Sequence, residues 1–285
     1  MKMTPRTALY MPGSNQRAME KARGLPADAI VFDLEDAVAP EAKAQARAQV
    51  VAQIAAGGYG ARQLVVRCNA LSTPWGLDDL QAVAAAPGVA TVCLPKVESV
   101  QQVRAVTREL DACGRSDMVI WAMIETPAGV ARVEQIADCE RVDALLMGTT
   151  DLCAELRLPP DDQRRGLSYA LQRCVLAARL AGIMVLDGVY LDIGNSAGLQ
   201  AVCEQGRALG FDGKTLIHPG QIEIANAVFG PSAAAVEHAR RLLALWQETT
   251  EAGAAVAVLD GKLIESMHVD EARRVLATAE HIARL

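Results

Sequence analysis

The chain has 285 residues, 51% of them hydrophobic, with 22 Gly and 12 Pro dispersed along it; this excludes a disordered protein and allows one large buried core. A formal charge of −6, a pI near 5.3 and the lack of any Lys/Arg block weigh against nucleic acid or an anionic membrane as partner. The opening MKMTPRTALYMPGS is too short in apolar residues for a secretory signal, no segment reaches transmembrane length, and the seven cysteines stand singly without a C-x-x-C pair, so reduced thiols in a cytoplasmic protein are expected.

The first β-rich run, TALYMPG, leads into SNQRAMEKA, a Gly-containing turn followed by a helix start. Backbone N–H groups there, with Arg17 and Lys21 nearby, suit a phosphate, although no G-x-G-x-x-G or Walker pattern accompanies them. The second run, AIVFDLED, ends in Asp33, Glu35 and Asp36. Like charges crowded at a strand end imply that they surround a cation or a cationic side chain. The third, LVVRCN, ends at Arg67. Its guanidinium can be oriented by Asp36 and still grip a carboxylate or carbonyl oxygen bidentately; a structural Arg–Asp pair at the rim is the alternative.

The fourth run, TVCLPKV, carries Lys96. Carboxylates around it would raise its pKa, which fits a charge-balancing or substrate-contacting lysine better than a Schiff-base nucleophile. The fifth and sixth, MVIWAMIET and ALLMGTTD, end in Glu125 and Asp151. Two carboxylates on neighbouring strands can share a hard cation such as Mg²⁺ and leave positions open for water and substrate oxygens. Pairing with Lys or Arg, or capping of the next helix, is the alternative, and the lack of clustered Cys or His argues against zinc. IMVLDGVYLD and GKTLIHP complete the set, the last ending in His218, which reads equally as a core, capping or functional histidine.

Eight apolar runs recur at intervals of about 25 to 35 residues, one strand-plus-helix unit each, with amphipathic stretches such as EAKAQARAQVVAQIAA between them. This predicts an α/β protein, a closed (β/α)8 TIM barrel, in preference to an open doubly wound sheet. Nearly every run turns polar at its end, and in a barrel all those ends converge on one face. Residues 1–230 are expected to form the catalytic barrel. Residues 231–285 form a C-terminal helical tail or lid: a long helix over AAAVEHARRLLALWQETTEAGAA, a hairpin-like AVAVLDGKLIE and a final helix, packing on the barrel or on a neighbouring subunit.

Taken together, YMPGSN, VFDLEDAVAPEAK, RCN, LPKVE, IETPAG, GTTDL and DGKTLIHPGQI resemble the citrate lyase β-subunit-like family within the HpcH/HpaI aldolase superfamily. The resemblance implies a TIM barrel, a homotrimer or hexamer, Mg²⁺, and a coenzyme A or acyl-carrier thioester as substrate. By it Glu125 and Asp151 ligate the metal, and Glu125 also meets the substrate. Arg67 holds the substrate and stabilises an enolate, Asp36 orients Arg67 or a metal-bound water, and Tyr10 and Lys21 contact coenzyme A. The chain departs from the family at DGKLIESM, where Glu265 stands at a position often held by a catalytic Asp reaching into a neighbouring subunit. The implied activity is lyase cleavage of malyl-, methylmalyl- or citramalyl-CoA to acetyl- or propionyl-CoA and a 2-oxo acid. (3S)-Malyl-CoA thioesterase is the alternative, because Glu265 displaces the carboxyl; a citrate lyase β-subunit and a CoA-independent 2-oxo acid aldolase are further ones.

Overall fold

The computed structural model describes residues 4–251 and 256–284. All eight expected strands form: β1 (Thr7–Pro12), β2 (Ala29–Asp33), β3 (Gln63–Arg67), β4 (Thr91–Leu94), β5 (Val119–Ile124), β6 (Val142–Met147), β7 (Met184–Asp187) and β8 (Gly213–Leu216). Each pairs in parallel with the next, and β8 returns to β1 with Thr7 opposite Lys214, so the sheet closes into a barrel.

Side-chain alternation explains why these strands read as continuous apolar runs. Ala8, Tyr10, Val31, Val65 and Met123 pack together inside the barrel. Their neighbours Leu9, Met11, Ile30, Phe32 and Val66 face outward and pack beneath the helices. Helix starts are set locally: the side chains of Ser99, Thr126 and Asn195 accept N–H bonds from Gln102, Gly129 and Gly198. None of the described helices is long and apolar enough to cross a membrane.

The barrel's helices run to Phe229, and the tail begins with the helix Ala233–Glu251. The expected extension of that helix over 252–255 lies outside the described residues. A hairpin of β9 (Ala257–Leu259) and β10 (Lys262–Ile264) follows, then the helix Ser266–Ile282. These elements share a small core of their own around Ala239, Leu242, Ile264 and Val269. At the end of the last helix burial lowers the proton affinity of His281, and the charges of Asp28 and Arg6, at the N-terminal ends of the strands, also reach it. Glu265 lies at the other end of that helix, roughly 25 Å away along the axis.

Candidate active site

The C-terminal ends of the strands enclose a cavity of about 400 Å³ lined by Tyr10, Asp33, Arg67, Glu125 and Asp151, among others. A larger groove of about 770 Å³ runs along the flank between residues 200–208 and 223–228, but no strand-end residue reaches it. The mouth is therefore where the polar strand ends can act together.

Arg67 is the last residue of β3 and is buried. Its Nε and Nη2 donate to the two oxygens of Asp33 at 2.7 and 2.5 Å, a bidentate pair that fixes the guanidinium plane. Nη1 faces Glu35 at 3.0 Å, and the guanidinium lies 4.8 Å from the centre of the Tyr10 ring. Burial works against its charge, but its bonds to the Asp33 carboxylate outweigh that and hold Arg67 more firmly protonated than usual.

The orienting role expected of Asp36 thus falls to Asp33. Asp36 is exposed, and its carboxylate reaches Arg67 only at 3.8 Å. Period-two alternation gives the reason: Val31 packs inside the barrel, so Asp33 points the same way, while Asp36 lies beyond the strand. That signal was present in VFDLED. Asp33 also accepts the N–H groups of Glu35 and Ala37, and Lys43 donates to the carbonyls of Leu34 and Glu35, so the turn after β2 is tied down.

Glu125 directly follows β5 and is buried; Asp151 sits in the first turn of the helix Thr149–Glu155, just past the strand end assigned to it from sequence. Gly148 is required between them, because a Cβ there would collide with the Glu125 side chain. Burial first, then the charge of Glu35, pushes the Glu125 carboxyl up to about 7, with the Lys96 N–H opposing and Asp151 adding to the rise. Such surplus negative charge favours a cation. No cluster of three or more Cys, His, Asp or Glu side chains forms a ligand cage among the described residues. A two-carboxylate set suits Mg²⁺, which retains several waters and takes oxygens from its substrate.

Lys96 lies between these groups, with Nζ 3.0 Å from Glu35 and 3.4 Å from Asp151. Tyr10 projects from β1 into the barrel beneath Arg67; its hydroxyl has no hydrogen-bond partner among the described residues, and burial raises its pKa well above the usual value. Lys21 is exposed on the helix Gln16–Ala22, whose start is capped by Asn15 accepting from Ala18 N–H, and it does not line the cavity. Glu265 does not line it either: it caps the helix Ser266–Ile282, with His268 Nδ1 accepting the Glu265 N–H at 3.0 Å. His218 is a capping histidine that accepts the Gly220 N–H.

A model of the HpcH/HpaI aldolase/citrate lyase family matches residues 6–219. A (3S)-malyl-CoA thioesterase of Cereibacter sphaeroides is 48% identical over 280 residues, 98% of this chain and 95% of the relative. The citrate lyase subunit beta of Escherichia coli is 36% identical over 284 residues, 97% and 94% of the two chains. The crystal structure of the protein CitE from Mycobacterium tuberculosis, in complex with magnesium, acetoacetate and coenzyme A, superposes with a TM-score of 0.76 at 28% identity, over 98% of this chain and all of that one.

Proposed function

The chain belongs to the HpcH/HpaI aldolase/citrate lyase family, and from that premise we propose that it is a Mg²⁺-dependent enzyme acting on a short 3-hydroxy-dicarboxylic acyl-CoA, with (3S)-malyl-CoA hydrolysed to malate and free coenzyme A. The observation that carries this reading is the convergence of Glu125, Asp151 and an Asp33-locked Arg67 on one cavity at the barrel mouth. The 48% relatives named as thioesterases favour hydrolysis over carbon–carbon cleavage.

Glu125 and Asp151 would hold the metal, which when bound neutralises the substrate carboxylate and acidifies its hydroxyl. Arg67 presents a fixed cation to the thioester oxygen, where negative charge develops, and needs no reorganisation because Asp33 has already oriented it. The Tyr10 ring closes the floor of the site beneath that guanidinium. Water attacks the thioester carbon, its proton goes to a carboxylate base, and the base passes that proton to the departing sulfur, so that the carbon–sulfur bond breaks and coenzyme A leaves as the thiol. Glu265 of a neighbouring subunit is that base in this reading, delivered by the tail of a homotrimer or hexamer. The exposed apolar face of the tail supports such a contact: Val258 and Leu263 are cross-strand partners and both are exposed, beside Val256 and Met267.

Lyase chemistry is the second reading, favoured by the citrate lyase β relatives and by the same Arg67, which would stabilise the enolate left when the carbon–carbon bond breaks. Purified protein incubated with Mg²⁺ and (3S)-malyl-CoA separates the two. Malate with free coenzyme A and no glyoxylate supports hydrolysis; glyoxylate with acetyl-CoA supports the lyase. A Glu125→Gln, Asp151→Asn double variant with full activity removes the metal assignment.

A further inference from the structure

Lys96 has a backbone that few residues adopt: its φ is +50°, in the left-handed region that costs a non-glycine residue about 1–2 kcal/mol. This conformation lets one residue touch both carboxylates of the candidate metal pair. Its N–H donates to Glu125 Oε1 at 2.7 Å, and its ammonium lies 3.4 Å from Asp151 Oδ2. The same ammonium donates to Glu35 Oε1 at 3.0 Å, while the other oxygen of Glu35 faces Arg67. Gln102 Nε2 donates to the Lys96 carbonyl and anchors the turn from the following helix.

We propose that Lys96 is a resident counter-cation of the carboxylate pair: its N–H fixes Glu125, and its ammonium bridges Asp151 and Glu35 until a divalent cation takes Asp151 and leaves the ammonium on Glu35 alone. The inference rests on the metal reading above. It makes Lys96 a positioning residue with two consequences. The pair stays ordered despite its mutual repulsion, and metal affinity is held below what two free carboxylates would give, because metal and ammonium compete for Asp151. Glu35 is what makes the exchange workable, since it keeps a partner for the displaced ammonium inside the mouth.

The test measures Mn²⁺ binding by electron paramagnetic resonance, without substrate, in wild type, Lys96→Met and Asp151→Asn. In parallel, wild-type protein is pulsed with N-hydroxysuccinimidyl acetate with and without saturating Mn²⁺, and acetylation of Lys96 is read by peptide mass spectrometry. Because Lys96 is part-exposed, its contact is of the weak surface kind, and Lys96→Met should tighten Mn²⁺ by roughly two- to fivefold. Acetylation of Lys96 should speed up several-fold when the metal binds, and the tightening of Mn²⁺ in Lys96→Met is the change that a purely structural lysine would not show. Unchanged or weaker Mn²⁺ binding in Lys96→Met, or metal-independent acetylation, overturns the proposal; the acetylation arm stands even if the variant does not fold. If Asp151→Asn binds Mn²⁺ as wild type does, the metal reading fails and the proposal with it. Loss of binding in Asp151→Asn with Lys96→Met unchanged defeats the proposal alone.

Discussion

Two charge clusters sit at the ends of the barrel strands, and they are built in opposite ways. Asp187, at the end of β7, is fully buried and accepts from Lys214 Nζ at 2.8 Å, Arg164 Nη1 at 2.7 Å and the Gly188 N–H. Lys214 is fully buried too and also donates to the Gly188 carbonyl. Burial pushes Asp187 up, but Lys214 and Arg164 outweigh it and the carboxyl stays below its usual range. That cluster is closed: its one carboxylate is bonded by two cations and a backbone N–H, and it lies outside the mouth cavity. The mouth instead gathers Asp33, Glu35, Asp36, Glu125 and Asp151 against Arg67 and Lys96, and its carboxyls at Glu35 and Glu125 are raised, chiefly by burial. The difference teaches how to separate structural charge from functional charge. A satisfied cluster stabilises the fold, whereas an unbalanced one beside a cavity stores a demand for a ligand.

Breaking the closed cluster should give the largest change in stability. Asp187→Asn leaves the buried Lys214 ammonium without its carboxylate and should cost about 3–5 kcal/mol of unfolding free energy, measured by urea denaturation. At the mouth the losses should be catalytic instead. Arg67→Met should lower turnover by about 10²–10³-fold, the effect of removing one preorganised donor to a developing oxyanion. Asp33→Asn keeps the guanidinium but frees its plane, and a loss of about 10–100-fold is expected, with the melting temperature as control for folding.

The pH response sharpens the contrast. The Glu125 carboxyl is raised from 4.5 to about 7, so between those values the metal-free folded state binds more protons than the unfolded one. Stability must therefore fall as pH rises through that window, and Glu125→Gln should flatten the slope in melting curves. Asp187, with its lowered value, contributes in the opposite sense: its stabilisation is present above the ordinary carboxylate range and lost in acid. The smallest effect should come from Asp36→Asn. At 3.8 Å and exposed, Asp36 should change turnover by no more than about threefold. A loss as large as that of Asp33→Asn would return the orienting role to Asp36.

The amino-acid sequence by itself determined the barrel. Eight apolar runs that turn polar at one end, separated by amphipathic helices, leave few other ways to bury both faces of each strand. It also placed Arg67, Glu125 and Asp151 together, because residues at the ends of parallel neighbours must meet at one mouth. What only the tertiary structure decided is which of several equal-looking charges does which task. Asp33, Glu35 and Asp36 are one cluster in the sequence, yet pleat and burial make the first a bidentate clamp, the second a bridge between Arg67 and Lys96, and the third a rim charge. The buried pairing of Asp187 with Lys214 and Arg164 was equally invisible, since Arg164 stands 23 residues before Asp187 in a loop and Lys214 stands 27 after it, opposite it only when β7 and β8 align. Pairing between distant charges depends on register and depth, and neither is written in the local pattern of a chain.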